Sequence, residues 1–225
     1  MLFRSRKQKN LKITPNIKKI DNTNHQQSLI NKAASVIQQG GIIAFPTSYL
    51  YGLGANAFNA QAVARIFAIK RRPHNKPLLV LIDQTRDLDR LVRKVPSSAI
   101  RLIEHFWPGK ITIVFEAGDE LPVNLTGGTG RIGLRMPEHQ VALALVNAVD
   151  VPITATSANI TGYMGCSQIS NLDPIVGDKL DLILDVGTLK GGIGSTVVDV
   201  TADIPIILRE GIVPAKDIFY VLGLV

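Results

Sequence analysis

The chain has 225 residues, a mass of 24.4 kDa and 46% hydrophobic residues. That apolar content can build one packed domain and excludes a chain that is disordered throughout. No uncharged apolar run approaches the roughly 18 residues that a membrane-spanning helix needs. The single cysteine, Cys166, cannot form an internal disulfide or a zinc site by itself, which fits a reducing compartment.

The net charge of +7 is unevenly distributed. Residues 1–21 hold seven Lys and Arg against Asp21 alone, residues 65–110 hold eleven bases and four acids, and residues 111–225 hold six bases and thirteen acids. We predict a basic, flexible tail over 1–24 and one folded domain over 25–225. Such a tail can bind RNA phosphates, although most basic tails are only solvated. It lacks the features of a secretory signal, so we expect a cytoplasmic protein.

The first half of the folded domain is predicted to alternate helices with strands. Apolar residues recur at helical spacing from Leu29 to Ile37, and Gly40 follows as a typical helix stop. Similar patterns predict helices over 26–39, 60–70, 86–94 and 98–106, strands over 42–45, 78–82 and 111–115, and a loop over 46–54.

The second half continues the same alternation. Strands are predicted over 132–135, 151–155, 182–184, 196–200 and 204–208, and helices over 141–149 and 215–221. Several strand pairs are joined by turns too short for a crossover helix. We therefore predict a single α/β domain with a twisted, mixed sheet and flanking helices.

A basic turn follows the second predicted helix. It reads Lys70-Arg71-Arg72-Pro73-His74-Asn75-Lys76-Pro77, with four cations in seven residues, and two prolines stiffen it. Fixed Arg and Lys side chains suit a polyphosphate, because guanidinium groups bind phosphate oxygens in pairs. A basic loop that faces only water is the alternative that this run leaves open.

Two further segments combine small, hydroxyl and glycine residues near predicted strand ends. Residues 154–162 read Thr-Ala-Thr-Ser-Ala-Asn-Ile-Thr-Gly, and residues 191–196 read Gly-Gly-Ile-Gly-Ser-Thr. Ligands of open α/β sheets bind at strand ends, and glycine-rich loops can form anion sites. Ordinary turns use the same residues, so each segment alone is an ambiguous signal.

Arg135 and Arg209 lie at the ends of two predicted strands. Surface salt bridges are one use of such arginines. Together with Ser157 and the basic turn they would instead form a cationic bowl for a carboxylate and a triphosphate. The sequence has no phosphate-loop, zinc or serine-hydrolase signature, so we predict no metal held by the protein's own side chains.

Short motifs recur in one order over residues 26–221. They are Pro46-Thr47 with Tyr51-Gly52-Leu53-Gly54, Lys70-x-Arg72-Pro73 with Lys76-Pro77-Leu78, Trp107-Pro108-Gly109 with Thr112, Gly133-x-Arg135-x-Pro137, Ser157-Ala158-Asn159-x-x-Gly162, Ser195-Thr196-Val197-Val198-Asp199 and Leu208-Arg209-x-Gly211. In this order they resemble the YrdC-like threonylcarbamoyl-AMP synthases, in their short, single-domain form.

The resemblance implies an enzyme that converts L-threonine, bicarbonate and ATP, with magnesium, to L-threonylcarbamoyladenylate and pyrophosphate. The adenylate serves the threonylcarbamoyladenosine modification of tRNA, so the implied partners are the tRNA-modification proteins that accept it. The threonine amine and bicarbonate would form a carbamate, whose oxygen attacks the α-phosphorus of ATP. Positioning and charge stabilisation would be the protein's main tasks.

The resemblance also assigns roles to individual residues. Lys70 and Arg72 would be catalytic and would hold the triphosphate. The other nucleotide-binding residues would be Lys76, Ser157, Asn159 and Arg209. The threonine-binding residues would be Thr47, Tyr49, Arg135, Ala155 and Ser195.

The sequence departs from the family pattern at two places. After Pro-Thr the family commonly has an acidic residue and often threonine, whereas this chain has Ser48 and Tyr49. The family usually has glycine between the key Lys and Arg, where this chain has Arg71. Two alternatives stay open: a double-stranded RNA-binding module of the same fold, and a sibling enzyme that uses a different carbamoyl-type substrate.

Overall fold

The computed structural model describes residues 16–21 and 26–224. The strands within these residues are β1 Ile17–Lys19, β2 Ile43–Pro46, β3 Tyr51–Gly54, β4 Leu79–Leu81, β5 Ile111–Glu116, β6 Arg131–Arg135, β7 Ile153–Thr154, β8 Thr156–Ser157, β9 Leu182–Asp185, β10 Thr196–Asp199 and β11 Ile206–Arg209. The α-helices are α1 Gln27–Gln38, α2 Ala60–Lys70, α3 Leu88–Leu91, α4 Ser97–Phe106, α5 Gln140–Val149, α6 Pro174–Gly177 and α7 Ala215–Leu222.

The strands form two sheets, each with parallel and antiparallel pairs. The order is β1-β9-β2-β3-β8 in one sheet and β11-β10-β5-β6-β4-β7 in the other. The predicted α/β class with mixed β structure and flanking helices is confirmed. The expected single sheet is divided into two, because the segment predicted as one strand over 151–155 changes partners at Ala155. There β7 pairs with β4 and β8 pairs with β3.

The prediction of a loop over 46–54 was wrong for its second half. Residues 51–54 form β3, which pairs antiparallel with β2. A Cβ on Gly54 would lie 2.8 Å from Cε1 of Phe45, so glycine at this position lets the phenylalanine ring pack across the hairpin. Glycine lowers strand propensity, which explains why the sequence pattern favours a loop here.

The described part of the predicted tail includes an edge strand. Residues 17–19 form β1, which runs parallel to β9, and the N–H of Ile20 donates to the carbonyl of Asp185 at 2.9 Å. Residues 17–20 are therefore tied to a sheet instead of forming a flexible extension. Residues 1–15 and 22–25 lie outside the described residues, so the domain boundary at residue 24 stays a prediction.

The helix predicted over 86–94 is shorter than expected. A 3-10 turn over Thr85–Asp87 leads into α3, which ends at Leu91. Val92 leaves the helix because its backbone is extended and forms an isolated bridge with Ala117. Tertiary pairing thus overrides the helical pattern at this point.

Two apolar clusters hold the helices against the sheets. One packs α1 and α5 against β2 and β9, and includes Ile30, Ala33, Ile37, Leu145 and Leu182. The other joins α2, α4 and α7 to β5, β6 and β10, and includes Val63, Ile66, Leu102, Ile113, Leu134, Val198 and Ile218. None of the helices formed by the described residues is long and apolar enough to cross a membrane.

Arg71, which stands where the family usually has glycine, is strained. It caps the end of α2 with φ 49° and ψ 43°, in the left-handed region, and its side chain is exposed. The left-handed region costs a residue with a Cβ roughly 1–2 kcal/mol, and glycine avoids this cost. Glycine also loses more chain entropy on folding, which offsets part of that gain. Arg71→Gly should therefore raise the free energy of unfolding by about 0.5–1 kcal/mol, measured by urea denaturation.

Lys32→Gly is a matched control, since Lys32 is exposed within α1. There glycine should lower the free energy of unfolding by about 1 kcal/mol. Equal losses in both variants would contradict the assignment of strain to Arg71.

Candidate functional site

A cavity of about 740 Å³ lies between the two sheets. Its size falls within the roughly 300–1,000 Å³ typical of small-ligand sites. Strands β4, β5, β6, β10 and β11 contribute side chains from one sheet, and the loop before β3 together with β8 contributes from the other. The change of sheet at Ala155 therefore brings both sheets to one site.

Because side chains alternate between the two faces of a strand, β6 places two arginines in the cavity lining. On β6, Arg131, Gly133 and Arg135 face the cavity, whereas Ile132 and Leu134 pack in the core. Arg72 and Arg209 also line it, and no acidic residue does so in the described part of the chain. Arg131 is paired with the buried carboxylate of Asp199 at 2.7 Å, and the other three guanidinium groups make the site positive.

Arg135 is held rigidly at one end of the cavity. Its side chain is buried, and its Nε donates to the carbonyl of Gly109 at 2.6 Å. Burial lowers the pKa of this guanidinium, and nearby Glu138 opposes that shift. An arginine remains charged even so, and the bond uses only one of its five N–H groups.

Arg72 closes the basic turn on itself. Its Nε donates to the carbonyl of Lys76 at 3.0 Å, and its Nη2 donates to the carbonyl of Pro77 at 2.7 Å. Burial lowers the pKa of Arg72. The two bonds point the guanidinium toward the cavity that it lines, whereas the exposed side chain of Lys76 does not line it.

Lys70 is buried beside the cavity rather than in its lining. Its ammonium donates to the carbonyl of Ser157 at 2.5 Å, to the carbonyl of Asn159 at 2.8 Å and to Oδ1 of Asn159 at 3.2 Å. Burial, and then the charge of Arg72, lower the pKa of Lys70 to about 7. Lys70 therefore fixes the segment 157–159 to the end of α2.

The amide of Asn159 is occupied by the protein itself. Its Oδ1 also accepts from the hydroxyl of Ser157, and its Nδ2 donates to the carbonyls of Ile160 and Tyr163, at 2.9 and 2.6 Å. Asn159 does not line the cavity, whereas Ser157 does. The amide thus orients the turn that presents Ser157.

Ser195 and Arg209 form one corner of the cavity. The hydroxyl of Ser195 bonds with that of Thr112 at 2.8 Å, and Nη2 of Arg209 donates to the carbonyl of Ser195 at 2.7 Å. Burial lowers the pKa of Arg209. These bonds join Ser195, which directly precedes β10, to β5 and β11 at the cavity.

A hydrogen bond joins the first loop to the glycine-rich loop, and both loops contribute to the cavity lining. The hydroxyl of Thr47 donates to the carbonyl of Leu50 at 2.6 Å, which closes the first loop. The N–H of Gly191 donates to the carbonyl of Tyr49 at 2.9 Å. Thr47, Ser48 and Tyr49 all line the cavity, so the departure from the family pattern at Ser48 and Tyr49 lies at the site itself, whereas the exposed Arg71 does not line it.

The structure brings most of the predicted site residues together. Those that line the cavity are Thr47, Tyr49, Arg72, Arg135, Ala155, Ser157, Ser195 and Arg209. Lys70, Lys76 and Asn159 do not line it. Their positions describe geometry alone, and the binding roles of all eleven residues stay predictions.

Two basic side chains of the cavity lining were not among the residues predicted from the sequence. Arg131 lines the cavity and donates to Oδ2 of Asp199 at 2.7 Å, and His139 also lines the cavity. The signal for Arg131 was its spacing of four residues from Arg135 on one strand, which places both on the same face. No comparable signal marks His139.

No protein cluster for a metal ion occurs in the described ranges. Among residues 16–21 and 26–224, no group of three or more His, Cys, Asp or Glu side chains could hold one.

The family of the chain follows from a sequence-wide match. The model of the Sua5/YciO/YrdC family, described as Telomere recombination, matches residues 35–211. The chain belongs to this family. The family resemblance recognised from the motifs is thereby confirmed.

Curated relatives carry one recurring name. The chain is 39% identical over 194 residues to the threonylcarbamoyl-AMP synthase of Pyrococcus abyssi, a match that covers 86% of this chain and 57% of that protein. It is 36% identical to the Bacillus subtilis enzyme of the same name, covering 86% of this chain and 56% of that protein. The chain thus spans little more than half the length of these relatives.

Solved structures of the family have the same fold. Pyrococcus abyssi Sua5 in complex with L-threonine superposes with a TM-score of 0.88 at 36% identity, covering 93% of this chain and 61% of that one. Escherichia coli YciO superposes with a TM-score of 0.82 at 29% identity, covering 90% of this chain and 98% of that one.

Proposed function

We propose that the chain is a threonylcarbamoyl-AMP synthase, which makes L-threonylcarbamoyladenylate and pyrophosphate from L-threonine, bicarbonate and ATP. The observation that carries the proposal is one cavity where two sheets gather four arginines with Ser157 and Ser195. Such a set of groups can bind a triphosphate beside a carboxylate. The names of the relatives from Pyrococcus abyssi and Bacillus subtilis support the same activity.

Threonine would bind at the end of the cavity near Arg135. The bond to Gly109 holds the guanidinium in place, so its free N–H groups can pair with the substrate carboxylate. The N–H of Ala155 already donates to the carbonyl of Leu79 at 2.8 Å. The carbonyl of Ala155 is therefore the group that would accept from the threonine amine. Ser195, Thr47 and Tyr49 would complete the amino-acid site.

ATP would bind along Arg72, Ser157 and Arg209. Two arginines can chelate phosphate oxygens, and the Ser157 hydroxyl can add a hydrogen bond. Lys70 would act as a positioning residue, because its ammonium holds the segment that carries Ser157. Asn159 would share this role, and Lys76 would reach the phosphates from the exposed side of the basic turn.

The chemistry would need positioning and charge but no covalent enzyme intermediate. The threonine amine and bicarbonate condense to a carbamate with loss of water. A carbamate oxygen then bonds to the α-phosphorus of ATP while the bond to the leaving pyrophosphate breaks. Arg72 and Arg209 would stabilise the charge that builds on the phosphoryl oxygens. The triphosphate would itself carry any magnesium, since the described lining holds no carboxylate.

The adenylate would pass to tRNA-modification proteins, in the cytoplasm. Direct contact of the tail with RNA stays a prediction, because five of its seven bases lie in residues 1–15, outside the described residues.

Pyrophosphate release tests the proposed activity. Protein supplied with ATP, L-threonine, bicarbonate and magnesium should release pyrophosphate, and omission of bicarbonate should abolish the release. Arg72→Ala should lower the rate by about 10²- to 10³-fold, because the transition-state charge loses a fixed cation. A coupled phosphate assay measures the rate, and mass spectrometry identifies the adenylate.

Arg65→Ala is the matched control. Arg65 pairs with Asp181 at 3.1 Å and does not line the cavity, so its loss should leave the rate unchanged. A wild-type rate no higher than that of Arg72→Ala would overturn the proposed function.

A further inference from the structure

The imidazole of His139 lines the cavity with its hydrogen-bonding groups unused. Nδ1 and Nε2 are both buried and have no partner within the described residues. The other buried side-chain atoms in the same condition are Oδ1 of Asn124 and Oγ1 of Thr161, and neither residue lines the cavity. An unpaired buried polar group costs roughly 1–3 kcal/mol, so a ligand that pairs with it gains that energy.

His139 is close in the chain to Arg135, and both line the cavity. It lies four residues beyond Arg135 and directly before α5. Although it occupies the N-cap position, its side chain makes no capping bond, so the ring has no role in starting the helix. The strand register pairs Leu81 with Arg135, and Leu81 also lines the cavity. A cation, an apolar side chain and an imidazole therefore line the same cavity.

The chemistry of the ring matches an alcohol. Burial lowers the pKa of His139 to about 4, and Glu138 opposes this only partly. The ring is therefore neutral at pH 7, with one nitrogen that donates and one that accepts. A hydroxyl also donates and accepts. A half-turn about the Cβ–Cγ bond exchanges ring nitrogens with ring carbons, and would present a nitrogen to the cavity.

We propose that His139 is a specificity-determining residue that hydrogen bonds to the side-chain hydroxyl of the amino-acid substrate. This inference rests on the proposed function and adds to it the basis of amino-acid selection. Arg135 would bind the substrate carboxylate, Leu81 would contact the side-chain methyl group, and His139 would distinguish a hydroxyl from a hydrogen or a methyl.

The test compares L-threonine with L-2-aminobutyrate, which lacks only the hydroxyl. The wild type should prefer threonine by at least about 100-fold in kcat/KM for pyrophosphate release, because a site built for a hydroxyl rejects the analogue without it. His139→Phe should lower kcat/KM for threonine by about 10- to 100-fold and leave 2-aminobutyrate within about threefold. KM for ATP should not change.

Two variants separate selection from a merely structural role. His139→Gln retains a donor and an acceptor and should recover part of the preference for threonine. His105→Phe replaces an exposed histidine of α4 that does not line the cavity, and should change neither substrate. Equal losses for both substrates in His139→Phe and His139→Gln would overturn the inference, as would a wild type that uses 2-aminobutyrate as well as threonine.

Failure of the proposed function would be recognised separately. In that case the wild type would release no pyrophosphate with any amino acid. Calorimetric titration of the wild type and His139→Phe with threonine and 2-aminobutyrate would then decide the inference. Tighter wild-type binding of threonine that is lost in His139→Phe supports it, and equal binding of the two amino acids overturns it.

Discussion

Replacement of Lys70 by methionine should lower the rate of pyrophosphate release by about 100-fold or more. Methionine fills a similar volume but removes the ammonium that donates to Ser157 and Asn159. The segment 157–159 would lose its attachment to α2, and Ser157 would no longer be held at the cavity. The buried carbonyl of Asn159 and the part-buried carbonyl of Ser157 would lose this donor, which should also cost about 2–4 kcal/mol of folding free energy.

The pKa of Lys70 adds a pH signature to this stability change. Burial and the charge of Arg72 lower that pKa from 10.5 to about 7 in the folded protein. Between these values the unfolded chain binds a proton that the folded chain has released. The contribution of Lys70 to the free energy of unfolding therefore rises with pH above 7 and is lost as the pH falls through 7.

Urea denaturation at several pH values measures this contribution. The difference between the wild type and Lys70→Met should grow by up to about 1.4 kcal/mol per pH unit above pH 7. Lys216→Met is the control, since Lys216 is exposed on α7 and its loss should change neither rate nor slope. A Lys70→Met enzyme with full activity would show that Ser157 needs no support from Lys70.

Lys70 also shows what the sequence could and could not predict. Its run of four cations suits a polyphosphate, and the family resemblance predicts that Lys70 holds the triphosphate. Its spacing from Val63, Ile66 and Phe67 is that of one helix face, and this face is buried. The run of cations thus indicates that Lys70 faces a ligand or water, whereas the helical period indicates that it is buried. The structure shows Lys70 buried. Arg72, two residues later and beyond the helix, lines the cavity as predicted.

The predicted convergence of distant motifs rested on strand ends and alternation. Arg135, Ser157 and Arg209 each end a strand, and the structure brings them to one cavity. The division into two sheets could not be predicted in the same way. Residues 151–155 read as one apolar strand, and nothing in that pattern shows that Thr154 pairs with Val80 while Thr156 pairs with Leu53. Strand partners depend on contacts between segments that are distant in the chain, and the hydrophobic periodicity of one segment does not predict those contacts.

Gly211→Ala should damage both stability and activity, although Gly211 does not line the cavity. A Cβ at this position would contact the carbonyl carbon of Ser195 and lie 2.5 Å from its oxygen. To relieve this clash, the chain after β11 would have to move away from the start of β10. The N–H of Gly211 would then lose its bond to the hydroxyl of Thr196, now 2.9 Å. Arg209 and Ser195 would lose their common geometry.

The free energy of unfolding of Gly211→Ala should fall by about 1–3 kcal/mol, the usual cost of forcing extra volume into a packed site. Pyrophosphate release should fall about tenfold or more, because one corner of the cavity is displaced. Urea denaturation and the coupled assay measure the two effects.

Alanine substitutions at two other glycines distinguish the effect of a steric clash from that of backbone strain. Gly177 has no left-handed φ, and a Cβ there would lie 3.5 Å from Leu172, so Gly177→Ala should be tolerated. Gly128 has φ +71° and open space around it, so Gly128→Ala should cost only about 1–2 kcal/mol of backbone strain and leave activity intact. Gly211 has no left-handed φ either. If Gly211→Ala were as stable and active as Gly177→Ala, close packing between β10 and the chain after β11 would not be what holds Ser195 and Arg209 together.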